Sequence, residues 1–101
     1  MLVMYLMTLK RNRRGRAVMF AYEYSFSDLV RAFEFALVDF RTRYPREWYV
    51  TFDSIILLSG VDCSDAGDRR LCSRAMQVLR KRWLCSYSRR HREWMIYRRN
   101  F

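Results

Sequence analysis

At 101 residues, 51% of them hydrophobic and 17% aromatic, the chain is long enough for one domain with a single core and too apolar to be a disordered basic arm. Its formal net charge of +10 sits in the last third, since residues 1–68 hold nine cations against nine acids and residues 69–101 hold eleven cations against Glu93 alone. No apolar run approaches the roughly 18 residues of a spanning helix, the apolar start lacks a basic n-region and a cleavage site, and Cys63, Cys72 and Cys85 cannot all pair within one chain, so a cytoplasmic, reducing location is expected.

Leu2 to Leu9 is rich in β-formers, Asn12-Arg13-Arg14-Gly15 supplies turn chemistry, and Ala17 to Tyr24 resumes an apolar, aromatic run. This predicts a β-hairpin whose tip carries Lys10, Arg11, Arg13, Arg14 and Arg16, with Gly15 free to take positive φ. Ser25-Phe26-Ser27-Asp28 has the spacing of a capping box. Phe26, Leu29, Val30, Phe33, Leu37, Phe40 and Tyr44 then recur at helical spacing, and Pro45 disfavours the α conformation at Tyr44 and so ends the helix.

Trp48 to Leu58 is dominated by β-branched and aromatic residues, which predicts a third strand. Val50, Phe52, Ile56 and Leu58 would lie on one face of it and Tyr49, Thr51, Ile55 and Leu57 on the other. Asp65 and Asp68 suit the positive end of a helix dipole. The helix that follows is expected to turn Cys72, Ala75, Met76, Leu79 and Trp83 inward and Arg69, Arg70, Arg74, Lys81 and Arg82 outward. Past Cys85, the helical spacing of Tyr87, His91, Trp94, Tyr97 and Phe101 favours a final helix over a short strand at Trp94-Met95-Ile96-Tyr97.

These elements give an α+β fold of order ββαβα(α): a small three-stranded antiparallel sheet, made of the β-hairpin plus one strand, with two to three helices packed on it. Residues 1–101 form one domain, with a near-neutral α+β part over 1–68 and a strongly basic helical part over 69–101. The apolar faces of Leu2–Leu9 and Trp48–Leu58 exceed what one helix layer covers, so a second layer or a homodimer partner is expected.

Eighteen of the twenty cations are Arg, whose planar fork grips phosphate or carboxylate bidentately and stacks on aromatic faces. The run holding Arg69, Arg70, Arg74, Arg80, Lys81, Arg82, Arg89, Arg90, Arg92, Arg98 and Arg99 is interleaved with Trp83, Tyr87, Trp94, Tyr97 and Phe101. Cations with aromatics suit single-stranded nucleic acid, where phosphates are neutralised and bases stack. The same aromatics at helical spacing are also what a helix needs to dock on a sheet, and that reading is the stronger of the two. If they are core, the Arg face suits duplex or structured RNA. The hairpin tip, Lys10, Arg11, Arg13, Arg14 and Arg16, is a secondary contact, as in basic β-ribbons that enter a groove.

Other chemistry is poorly supported. Cys63, Cys72, Cys85 and His91 lack the close ligand pair of a zinc knuckle, and Asp62, Asp65 and Asp68 depart from a calcium loop in having no terminal Glu. His91, flanked by Arg89, Arg90 and Arg92, sits in a positive field that makes it a weak base. No catalytic motif occurs, so neither enzyme activity nor a cofactor is expected.

The sequence therefore points to a non-enzymatic Arg-rich binding protein that contacts the phosphates of a DNA or RNA backbone through its C-terminal face. The alternative is docking on an acidic patch of a larger protein complex, because Arg, Trp and Tyr are the residue types enriched in binding hot spots. In size and style the chain resembles small phage accessory or anti-defence proteins, which inhibit or redirect a host nuclease complex, although no motif carries that resemblance. A basic amphipathic helix on anionic lipid is a third, weaker reading.

Overall fold

A computed structural model describes residues 10–11, 17–63 and 66–97. Its backbone begins with β1 (Lys10–Arg11) and β2 (Ala17–Phe20), followed by a 3-10 turn at Ala21–Glu23. The first helix, α1 (Phe26–Arg43), begins where the sequence places it, with the Ser25 hydroxyl accepting the Asp28 amide at 3.1 Å. It ends at Tyr44, before Pro45. Leu29, Val30, Ala32, Phe33, Ala36, Leu37 and Phe40 form its buried stripe. Asp39 and Arg43 meet at 3.0 Å on the outside, and that hydrogen bond raises the Arg43 pKa further.

The expected strand over Trp48–Leu58 is instead a two-residue strand, β3 (Tyr49–Val50), and a helix, α2 (Phe52–Ser59). Two local signals outweigh β propensity here. Thr51 caps the helix by accepting the Ser54 amide at 3.1 Å, and Gly60 ends it at φ 73°. Burial agrees, because a strand would place Ile55 and Leu57 on one face, whereas Ile55 is wholly buried and Leu57 is 63% exposed. Phe52 stacks on Phe33 of α1 with ring centroids 6.5 Å apart.

Strand β4 (Val61–Asp62) leads to α3 (Ala66–Lys81), which buries Cys72, Ala75, Met76 and Leu79 as expected. Asp68 is buried in its first turn, where a carboxylate complements the helix dipole. Asp65 lies outside the described residues.

The expected final helix is a β-hairpin, β5 (Cys85–Ser88) and β6 (Glu93–Ile96). A helix through this segment would need one turn made entirely of the polar run 88–93, while the strand alternates burial cleanly at Trp94 and Ile96. The turn holds itself together: the Ser88 hydroxyl lies 2.9 Å from His91 Nδ1 and accepts the His91 amide at 3.3 Å. Among the described residues the basic part over 69–101 is accordingly helical only as far as Lys81.

The α+β class, three helices and a three-stranded antiparallel sheet are present, but the sheet has different members. It runs β3-β6-β5, with Tyr49 opposite Met95, Val50 opposite Trp94 and Cys85 opposite Ile96. The N-terminal hairpin pairs Lys10 with Val18 and Arg11 with Ala17, then joins β4 in parallel to make a second small sheet. The strand expected at Leu2–Leu9 lies outside the described residues. Val50, Cys85, Trp94 and Ile96 share one core cluster with the buried stripes of all three helices. Since Trp48–Leu58 divides between β3 and α2, its share of the argument for a homodimer falls away.

Cys63 and Cys72 are paired as a disulfide across a Cα separation of 7.6 Å, leaving the buried Cys85 as the free thiol. That Cα separation is wider than a disulfide ordinarily spans, so the contact does not bear on the redox compartment. No helix among the described residues is long and apolar enough to cross a membrane.

Candidate nucleic-acid interface

The eleven C-terminal cations do not form one uniform face. Two cations of α3 and one just past its end are engaged with the neighbouring helices. Arg69 reaches Asp53 of α2 at 3.0 Å and lies over the Phe52 ring, 5.2 Å from its centroid. Arg74 lies 5.7 Å over the Phe26 ring of α1, and Arg82, just past the helix, faces Glu34 of α1 at 3.7 Å. These are exposed contacts that add little to stability, but they direct the three guanidinium groups toward the protein.

The remaining cations have a different setting. Arg70 projects from the exposed side of α3. Among the described residues Arg80 bonds a neutral group, the Gln77 side-chain oxygen at 2.8 Å, and is followed by the exposed Lys81. Arg89, Arg90 and Arg92 are exposed in the β5–β6 turn, where Arg92 takes φ 54°. No ion pair among the described residues involves Arg70, Arg80, Lys81, Arg89, Arg90 or Arg92. Arg98 and Arg99 lie outside the described residues, as do Arg13, Arg14 and Arg16 of the hairpin tip. For Lys10 and Arg11 the described feature is the β1 backbone.

Strand alternation explains how two of these clusters are linked. Val50, Trp94, Tyr87, Cys85 and Ile96 share the sheet face turned to the helices, which leaves Tyr49, Met95 and Ser86 as a row on the opposite, outer face. His91 stacks on Tyr49 with ring centroids 4.1 Å apart, carrying this face into the Arg89–Arg92 turn. Tyr97 follows the inward-facing Ile96 and donates its amide to the Leu84 carbonyl at 3.1 Å. At this other end an open cleft of about 310 Å³ is lined by Arg80, Lys81, Trp83, Cys85, Ser86 and Tyr97. At about 3.4 Å per residue, the four residues of β5 separate the two cationic ends by roughly 14 Å.

A larger cleft, of about 480 Å³, opens between α1 and α3 and contains Glu34 beside Arg31 and Arg82. Its carboxylate makes it the poorer receptor for a polyanion. Cys85 contributes no reactivity to the first cleft: burial pushes its thiol up to about 12, against the opposing pull of Arg80. Among the described residues no three His, Cys, Asp or Glu side chains converge to hold a metal ion.

The sequence placed Trp83 on the buried side of a longer helix; its indole is 72% exposed. The helix stops early in a Schellman motif, with the Leu84 amide bonding the Leu79 carbonyl at 3.1 Å and the Trp83 amide bonding the Arg80 carbonyl at 3.0 Å. Trp83 occupies the left-handed position at φ 63° that a glycine ordinarily fills, so the residue that normally announces such an end is missing. Of the other aromatics, Trp94 is buried, while Tyr87 is 47% exposed and packs edge-on against it at the sheet margin. The aromatics thus divide between core and surface. The placement of Tyr49 and His91 together was not legible, because it depends on the β3–β6 pairing. Comparison of the chain with protein-family models, curated proteins and solved structures finds no significant match.

Proposed function

We propose that this protein is a non-enzymatic, cytoplasmic nucleic-acid-binding protein that holds phosphates along the outer face of its three-stranded sheet. The observation that carries the proposal is the pair of cationic groups at the two ends of that face, Arg80 with Lys81 and Arg89 with Arg90 and Arg92, none in an ion pair among the described residues. Guanidinium groups left facing solvent on a protein of formal charge +10 would otherwise repel one another. A polyanion along β5 neutralises both groups at once. Arg70 adds charge from α3, whereas Arg69, Arg74 and Arg82 act first within the fold. The contacts are to the backbone, so sequence preference is slight.

The test is the salt dependence of binding to labelled single strands and duplexes, measured by fluorescence anisotropy. Counterion release requires affinity to fall steeply with salt, and an affinity that hardly moves between low and moderate salt refutes the proposal. The second reading, docking on an acidic patch of a host nuclease complex in the manner of a phage accessory inhibitor, is favoured by the exposed Trp83 among the cations. Pull-down from a nuclease-treated lysate separates the two: a stoichiometric protein partner retained after treatment supports docking, and loss of all bound material supports nucleic acid.

A further inference from the structure

We infer that the outer face of α1 is a docking surface for a second copy of this chain, which lies antiparallel across it with Phe35 at the centre. The first observation is the pattern along the helix. Asp28, Arg31, Phe35, Val38 and Thr42 recur at alternating steps of three and four residues, and all five are exposed, on the side of α1 away from its buried stripe. This is the spacing of a seam between two helices. At its middle Phe35 is 69% exposed and Val38, one turn on, is 40% exposed. An aromatic ring at an exposed mid-helix position does not favour the helix itself, since it loses side-chain freedom against the preceding turn.

The second observation is charge complementarity, and it names the occupant. Arg31, Arg41 and Arg43 of α1 are matched in number by Asp28, Glu34 and Asp39, so this helix carries none of the formal charge of +10 and offers a second copy a face without net charge. Residues four before and four after Phe35 each lie about 6 Å from it along the axis. In an antiparallel pair with the two-fold axis at Phe35, Arg31 of each copy is therefore level with the partner's Asp39, and Asp28 with the partner's Thr42. A parallel pair would instead set Arg31 against Arg31 and Asp39 against Asp39. Arg31 makes no ion pair among the described residues, and Asp39 meets Arg43 through Oδ1, which leaves Oδ2 for a second guanidinium. None of the cations assigned to phosphate takes part. Two apolar side chains per copy make a small seam, so the pairing belongs to the weak, transient class, with a dissociation constant of about 10 µM to 1 mM.

The experiment is sedimentation of the full chain over a concentration series up to about 1 mM, in about 0.15 M salt, where a Debye length of about 8 Å screens distant cations. Every sample is first freed of nucleic acid, so that a shared strand cannot tether two copies. Wild type should pass reversibly from monomer to dimer. Phe35→Ser should weaken the pairing by about 10-fold or more and, because the ring is exposed, shift the melting temperature by no more than a few degrees. Arg31→Glu and Asp39→Arg each turn two attractive pairs into repulsive ones, and each alone should weaken pairing by about 10-fold. Mixed together, these two variants should pair within a few-fold of wild type, because each introduced charge then meets its opposite. A wild type that stays monomeric throughout overturns the inference and leaves the face to a partner of another kind. A dimer unmoved by Phe35→Ser places the contact elsewhere and overturns it too, and a mixture no stronger than its separate components overturns the antiparallel register. Should Asp39→Arg melt early through loss of its Arg43 bond, Phe35→Ser and Arg31→Glu, both at exposed positions, still decide whether α1 is the seam.

Discussion

Neutralising the β5–β6 turn tests whether the two cationic ends act on one ligand. The triple variant Arg89→Gln, Arg90→Gln, Arg92→Asn removes three charges, and asparagine is chosen at position 92 because the φ of 54° there suits it. All three positions are exposed and none is in an ion pair among the described residues, so the melting temperature should change by no more than a few degrees. If Arg80, Lys81, Arg89, Arg90 and Arg92 each neutralise one phosphate of a single strand, the slope of log K against log salt is about −3.5 for the wild type and about −1.4 for the variant. Between about 50 and 200 mM salt, affinity then falls roughly 100-fold for the wild type but only about 7-fold for the variant. Anisotropy titrations at several salt concentrations, with circular dichroism melts as the control, measure both quantities. A variant slope equal to that of the wild type would show that the turn does not touch phosphate, and the span along β5 would have to be abandoned.

Three further outcomes follow from the packing. Phe33→Ala removes a fully buried ring at the α1–α2 contact and should cost about 3–5 kcal/mol in guanidinium unfolding; a loss below about 1 kcal/mol would mean that the two helices do not pack as described. Ser25→Ala and Thr51→Ala each delete a cap that accepts an amide at 3.1 Å, and each should cost about 1 kcal/mol by the same measurement. Cys85 should resist alkylation in the native protein, and because its folded pKa lies above the unfolded value, the unfolding free energy should be level up to about pH 9 and fall from there toward about pH 12. Cys85→Ala should flatten that fall, and a wild-type profile flat across the same window would refute the assignment.

Legibility along the chain followed whether an element's ends were written in local chemistry. For α1 the Ser25–Asp28 cap, the apolar spacing and Pro45 all agreed, and the helix lies where they place it. For α2 the apolar run suited either state, and the decision rested on Thr51 and Gly60, two signals outside the β-branched core of the segment. The C-terminal hairpin was ambiguous for a different reason. Tyr87 and Trp94 are seven residues apart, which brings them together on two turns of a helix and also directly across a four-residue turn. Only pairing with β3, a contact distant in sequence, separates the two. The cationic segment was legible from charge alone, but its division into inward-facing and solvent-facing guanidinium groups required the positions of Asp53, Phe52, Phe26 and Glu34 on other helices.

The sheet order β3-β6-β5 leaves β5 as an edge strand among the described residues, with cations at both of its ends. An edge offers unpaired backbone groups to the edge of any other copy, and charge is one of the ordinary guards against such pairing. Here the guard is the same set of guanidinium and ammonium groups assigned to phosphate. Copies repel one another in dilute salt, and a bound polyanion cancels that repulsion, so loading neighbouring copies onto one strand would place bare edges side by side. On the proposed function, colloidal stability and ligand occupancy would thereby be coupled: the free protein would be kept apart by the charge that a bound polyanion removes.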